Sequence, residues 1–291
     1  MVTRLRLGEF EIFAFVESRM HLDGGAMFGV IPKKLWTRAI TCDEHNLIAL
    51  DLNLLLVKAH GKNILVDTGC GDVASPKERK IYGLSGTTDM EHNLEAAGVR
   101  PDDVDLVLLS HLHFDHSGGG LKRRPDGTVT TRFEHARYVV NAREWADATH
   151  PNERTAAAYI PEYLGAYADS GQVDTVEGDT EWLPGITLEH TGGHTAGHQA
   201  IVLRSAGQAL GYYADIFPTR WHLKPAWVAA VDTHPLETMR AKKRILRACA
   251  DLEIRVAFDH DLEVKLAWIR ADNGTFRAEP LATSEVEVLG G

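Results

Sequence analysis

Cysteine is scarce in this chain: Cys42, Cys70 and Cys249 are odd in number and widely spaced. That excludes a disulfide framework and a C-x-x-C metal knuckle. No apolar run is long enough to span a bilayer, and the opening MVTRLRLGEFEIFAF has neither the apolar core nor the small-residue site of a cleavable signal. A cytoplasmic location without a membrane partner is the expectation. Positive charge is in deficit, 31 Lys and Arg against 41 Asp and Glu, for a net charge of −10. A nucleic-acid partner is therefore not expected, because a phosphate backbone requires a basic face. Low-complexity tracts and solenoid repeats are missing, and without a G-x-S-x-G elbow a serine esterase is disfavoured. The remaining composition, 44% hydrophobic and 25% charged, is that of a globular protein. The 291 residues fit a single domain over 1–291, with an N-terminal half of about 1–140 and a C-terminal half of about 141–291.

What stands out instead is histidine, 15 residues in all, and above all where it falls. The stretch LSHLHFDHSGG places His111, His113, Asp115 and His116 within six positions. It follows the apolar run VDLVLLS, short enough to be a strand buried on both faces. In open α/β sheets the C-terminal end of such a strand is where sites are built. Before it, LNLLLVKAHGKNILVDTG reads as two strands joined by a turn at Gly61 to Asn63. A helix over TDMEHNLEAAGV is capped by Thr88 or Asp89 and stopped by Gly98. After it, RYVVN and GITLEHTGG read as strands, QAIVLRS with QALGYYAD as a hairpin around Ala206-Gly207, and IRVAFDHD as a strand running into a loop. HPLETMRAKKRILRACADL reads as a helix capped by Asp232 or Thr233, with Pro235 in its first turn. Its basic run Arg240 to Arg247 reads as a solvated face. Strands whose ends carry His or Asp, with helices between, suggest two sheets covered by helices and one site along a shared edge.

If the segment past the strand stays extended, His111, His113 and Asp115 point one way and His116 another. One ion cannot easily take all four, but two adjacent ions can. Imidazole and carboxylate suit zinc, iron, manganese or cobalt. Gly118 to Gly120 permit tight backbone geometry or close approach of another segment. Further ligands are on offer at other predicted strand ends: His190, His194 and His198, Asp215, and His260. Five His and two Asp complete a dinuclear site if one aspartate bridges. One ion then takes His111, His113 and His194, the other Asp115, His116 and His260, with Asp215 linking them. Each keeps an open position, the mark of catalytic metal.

H-x-H-x-D-H followed by distant His, Asp and His resembles the metallo-β-lactamase superfamily, over about Leu54 to His260. The resemblance implies an α/β fold, an αββα four-layer sandwich of two mixed β-sheets flanked by helices. LVDTG matches a strand-loop signature of the family and makes Asp67 a carboxylate that orients a ligand histidine. GGHTAGHQA is similar to the PGHTPGH element of the N-acyl-homoserine lactonase branch. That likeness assigns metal to His194 and leaves His198 as a supporting histidine and His190 as a strand histidine. The His194, Asp215 and His260 spacing also resembles the methyl parathion hydrolase branch. The implied enzyme is a hydrolase with two divalent transition-metal ions, zinc first and Mn, Fe or Co next. A bridging hydroxide cleaves a lactone or other ester of a small molecule, and Asp115 and Asp215 are the catalytic carboxylates. Where the lactonases carry a substrate-binding tyrosine three residues after the bridging aspartate, this chain has Pro218, so that role does not carry over.

Substrate contacts are expected from Met27 and Phe28, in a helix-free stretch that also holds Ile31 and Trp36. This stretch serves either as an apolar lid or as N-terminal core. A second wall is expected from Phe217, Trp221, His222 and Trp227, while Tyr213 is read as core. Rival readings are a phosphotriesterase, a glyoxalase II-like thioesterase, a non-hydrolytic iron oxygenase and a metal-binding protein without turnover. A homodimer is compatible with the sequence.

Overall fold

Alternation along the strand Leu47–Ala59 layers the protein. Leu50, Leu52, Leu54 and Leu56 enter one core cluster, while Leu55, Val57 and Ala59 enter another. The strand Gln199–Ser205 divides likewise, Ile201 and Leu203 facing the Leu55 cluster and Ala200 and Val202 a third. Side chains alternate across a sheet with period two, so a strand that feeds two cores is covered on both faces. A slip of one residue would exchange those faces, and the register is correspondingly pinned. The Leu55 cluster lies between two sheets; the other two lie outside them, under helices.

The computed structural model describes residues 2–84 and 89–289. In these residues one sheet runs in spatial order Val286–Leu289, Val2–Leu7, Phe10–Asp23, Leu47–Ala59, Lys62–Val66, Leu106–Leu108, Arg137–Asn141 and Val173–Val176. The second runs Thr180–Leu183, Ile186–His190, Gln199–Ser205, Gln208–Tyr212, Ile254–Ala257, Leu266–Asp272 and Thr275–Pro280. Both are mixed. Lys62–Val66, Leu106–Leu108 and Arg137–Asn141 are mutually parallel, as are Gln208–Tyr212 and Ile254–Ala257. The helices Met90–Ala96 and Pro161–Ser170 cover the first sheet and Pro235–Asp251 covers the second. This is the expected αββα sandwich. The chain passes between sheets at Val176 to Thr180, later than a halving near 140, and its last strand returns to the first sheet beside Val2–Leu7.

Several local expectations are corrected. The first turn falls at His60-Gly61, both at positive φ, one residue earlier than read. The hairpin turn at Ala206-Gly207 is where expected, again with both residues at positive φ. Asp89 caps the helix Met90–Ala96 by position; Thr88 lies outside the described residues. The long helix begins at Pro235 with His234 before it, so neither Asp232 nor Thr233 is its cap. The stretch after Asp23 is not helix-free: it forms the short helices Gly24–Phe28 and Lys33–Trp36. Within the basic run, Arg240, Lys243, Arg244 and Arg247 are exposed, but Lys242 is buried and donates to the carbonyls of His222 and Trp227. Burial lowers its pKa to about 7. No helix of the described residues is long and apolar enough to cross a membrane.

Candidate metal centre

The parallel strands deliver their ends to one edge of the sandwich, and the chemistry-bearing residues follow directly. Asp67 succeeds Val66, His111 follows Leu106–Leu108, Asp215 follows Gln208–Tyr212, and Asp259 and His260 follow Ile254–Ala257. His113 itself has extended backbone, and the chain then turns into the short helix Phe114–Ser117. This corrects the extended reading of the motif. Side chains of neighbouring residues on one helical turn can both reach the same centre, so Asp115 and His116 need not diverge. The turn is fixed from behind: the Thr68 amide and hydroxyl both donate to the His116 carbonyl, at 2.7 and 2.8 Å. Gly119 lets this happen, since a Cβ there would lie 1.9 Å from the Thr68 oxygen. The glycines thus serve close approach.

His111, His113, His194 and Asp215 bring ligand atoms within 4.8 Å of one another; so do His116, Asp215, Asp259 and His260. Asp215 belongs to both groups. Its Oδ2 lies 3.0 Å from His194 Nε2 and 3.7 Å from His116 Nε2, and its Oδ1 lies 3.3 Å from His260 Nε2. Asp115 Oδ2 stands 3.7 Å from both His116 Nε2 and His260 Nε2. All seven expected residues therefore converge. His198 is buried next to them, its Nδ1 held by the Thr191 hydroxyl at 2.6 Å, but it joins neither group. His190 bonds the Ala196 carbonyl through Nε2.

Outer partners orient the rings. Asp67 accepts from His116 Nδ1 at 2.8 Å, Asp232 from His194 Nδ1 at 2.9 Å, and the Asp51 carbonyl from His260 Nδ1 at 3.0 Å. The Ser110 hydroxyl donates to Asp67, so it accepts from His111 Nδ1 at 3.0 Å. In each of these rings Nδ1 is turned to an acceptor outside the centre and Nε2 faces inward, the orientation that metal ligation requires. Among the described residues, His111 Nε2, His116 Nε2 and Asp215 Oδ1 are buried with no hydrogen-bond partner. Buried acceptors left bare are costly. Imidazoles and carboxylates converging in this way fit divalent metal ions.

Charge is strongly organised here. Burial alone would raise the Asp215 carboxyl, but His194, His116 and His260 outweigh it and hold it well below the usual carboxylate range. Burial opposes protonation of His194 and His260, yet the neighbouring aspartates prevail and lift both to about 9. His111 and His113 are driven well below their ordinary value by burial and by the surrounding imidazoles. Burial lifts Asp259 to about 8. Ions entering the site must displace the protons on His194 and His260, because a ligand imidazole is neutral. Affinity for a divalent cation is therefore expected to rise between pH 6 and pH 9, roughly tenfold per unit for each proton displaced. Chelator competition across this range checks it; a flat profile would contradict it.

A cavity of about 240 Å³ opens onto the two groups. His113, Asp115, His194, Asp215 and His260 form its polar end, and Met20, Leu22, Met27, Phe114 and Val231 are among its apolar walls. Of the expected contacts, Met27 lines it. Phe28 is buried between Trp36 and His222, stacked on both, and Phe217 packs with Tyr213 in the outer core of the second sheet. His222 is tied by Nε2 to the Met27 carbonyl and by Nδ1 to the Thr219 hydroxyl; burial and the Lys242 charge hold it to about 3. Trp221 lines a separate cavity of about 260 Å³ that also reaches His260. Pro218 uses its carbonyl to accept from the His260 amide at 2.9 Å.

Three residues escaped sequence reading. Asp232 had the look of a helix cap. Glu144 lay in an unremarked helix, yet it accepts from the Leu112 amide and the Tyr159 and Thr195 hydroxyls, tying the two histidine loops together. Asp259 could have been noticed as a carboxylate directly before a candidate ligand.

An αββα sandwich with two His/Asp groups sharing an aspartate at one edge defines a metal-binding protein of that fold class. The family model described as Metallo-beta-lactamase superfamily matches residues 50–254. The chain belongs to that superfamily. It is 30% identical to a solved chain described as a probable metal-dependent hydrolase from Staphylococcus aureus, with a TM-score of 0.86 and 98% of each chain covered. An N-acyl homoserine lactonase of a Bacillus species is 29% identical over 175 residues. That match takes in 57% of this chain and 63% of the lactonase, less than two thirds of its length. AidC, described as a dizinc quorum-quenching lactonase, shares the fold at TM-score 0.79 and 22% identity over 97% of each chain.

Proposed function

We propose that this protein is a dinuclear metallohydrolase that opens the ring of a small-molecule lactone bearing an apolar tail. The observation that carries this reading is the cavity: its walls are apolar, and it ends on the carboxylates and imidazoles of both metal groups. A lactone presents those two faces, a hydrocarbon chain and a polar carbonyl head. His111, His113 and His194 would hold one ion, His116, His260 and Asp115 the other, with Asp215 between them. Bound divalent ions, zinc foremost, lower the pKa of water and polarise a carbonyl.

The chain's own groups do the rest. Asp115 reaches the cavity and would take the proton released from attacking water, then return it to the leaving alkoxide, so that ester and water give acid and alcohol. Asp67, Asp232 and the Asp51 carbonyl keep the imidazole nitrogens aimed inward. Met20, Leu22, Met27 and Val231 exclude bulk solvent. No lysine or arginine lines the cavity among the described residues, which disfavours the carboxylates of a glutathione thioester.

The test is a panel of lactones, aryl esters, phosphotriesters, S-lactoylglutathione and a β-lactam, assayed with Zn-, Mn- and Co-loaded protein. Lactones with longer acyl chains are expected to give the highest kcat/KM. Met27→Ala is expected to raise KM for these about tenfold with kcat little changed, from roughly 1.5 kcal/mol of lost apolar contact. Preference for another class on the panel would redirect the assignment.

A further inference from the structure

The superfamily resemblance accounts for seven ligands, and Asp259 is not one of them. The residue is 1% exposed, and neither carboxylate oxygen has a hydrogen-bond partner among the described residues. The other buried acids around the site differ. Asp67 accepts from Ser110 and His116, Asp232 from His194 and Thr238, and Asp261 from Arg220 and the amides of Glu263 and Val264. The basic group closest to it is the His260 imidazole, which binds metal only in its neutral form, so once that ring is a ligand the buried carboxylate has a bound cation as its natural counter-charge.

Its position is also fixed. The Asp259 carbonyl accepts from the Asn53 amide at 2.7 Å, and the Asn53 side chain donates to the carbonyls of Phe258 and Asp261 at 3.0 and 2.9 Å. The first sheet therefore grips the segment on both sides of Asp259. Its Oδ2 lies 3.4 Å from His260 Nε2, and one of its oxygens lies within 4.8 Å of ligand atoms on His116, Asp215 and His260.

We propose that Asp259 is an additional carboxylate ligand of the ion held by His116, Asp115 and His260, making that position the harder, oxygen-rich half of an asymmetric centre. The proposal rests on the dinuclear reading above. The His111, His113 and His194 position has three imidazoles and shares the Asp215 carboxylate. The other position has two imidazoles, shares Asp215, and gains Asp115 and Asp259. Two divalent ions bring four positive charges to a buried site, where Asp115 and Asp215 alone supply two negative ones. A third carboxylate brings the centre closer to neutrality. Carboxylate-rich positions suit manganese, and imidazole-rich ones suit zinc, so the two positions differ in preference.

The experiment is stepwise titration of the metal-free full-length protein with Zn²⁺ and with Mn²⁺ under chelator competition, read by bound equivalents and, for Mn²⁺, by electron paramagnetic resonance. Wild-type protein is expected to take two equivalents. Asp259→Asn, which keeps the volume and removes the charge, is expected to hold the first and to bind the second at least about tenfold more weakly. The loss is expected to be larger for Mn²⁺ than for Zn²⁺. Thermal unfolding of the metal-free variant shows whether it is folded, and Asp259→Ser provides a second, smaller replacement. A second-ion affinity within twofold of wild type for both metals overturns the proposal, as does loss of both equivalents from a folded variant. One equivalent in the wild type overturns the dinuclear reading and this proposal together, whereas two equivalents in the wild type with unchanged variants overturns this proposal alone.

Discussion

Asp215→Asn is expected to cut hydrolysis by at least about 10²–10³-fold and to leave the protein with one metal equivalent or none. The size follows from the position. Asp215 is the carboxylate shared by both groups, with Oδ2 toward His194, His111 and His116 and Oδ1 toward His260. Asparagine preserves the volume but supplies one neutral oxygen in place of two anionic ones. It also removes a charge that, with Asp232 at His194 and Asp259 at His260, raises those two imidazoles. Four imidazoles would then face each other across a buried space with a weaker counter-charge. Elemental analysis and kcat on the best substrate of the panel check this together. Near-wild-type turnover with two equivalents would remove Asp215 from the mechanism.

Asp232→Ala is expected to weaken the ion at His111, His113 and His194 by about 10–100-fold without touching a ligand. One Asp232 oxygen accepts from His194 Nδ1, and the other accepts from the Thr238 hydroxyl in the first turn of Pro235–Asp251. The carboxylate thus fixes the His194 tautomer and ties its loop to a helix of the second sheet. Without it the ring can turn, and the Nε2 lone pair is no longer held toward the centre. At limiting metal, kcat should fall in step with occupancy and recover at saturating metal, which separates this role from a direct catalytic one. Equal dissociation rates in variant and wild type under chelator competition would show that Asp232 serves only the helix.

The two-sheet architecture was legible because strands buried on both faces leave short, continuous apolar runs. VDLVLLS and QAIVLRS, apolar on both faces, are buried on both faces in the structure. The turn at Ala206-Gly207 was legible for a similarly local reason, since its backbone runs at positive φ. Helix starts were less so: an aspartate just before a helix reads as a cap, and in Asp232 it is a partner of His194 instead. The walls of the cavity were the least legible. Phe28, Phe217 and His222 have the composition of a binding wall, yet the interior takes them, because large apolar and neutral aromatic side chains serve a core equally well.

By itself the sequence determined the local half of the centre: H-x-H-x-D-H at the end of a buried strand needs only neighbouring residues and one turn of backbone to be recognisable. It also supplied the inventory of distant imidazoles and carboxylates, with a motif likeness to rank them. Asp67 was foreseen from LVDTG, but tertiary structure alone decided that Asp232 partners His194 and that Asp259 faces the centre. Asp232 meets His194 across 38 positions, and Asp259 is held by Asn53 across 206. Such pairings depend on how two sheets stack and where their strands stop. No periodicity within either segment records them, because each segment by itself would satisfy its polar groups with water.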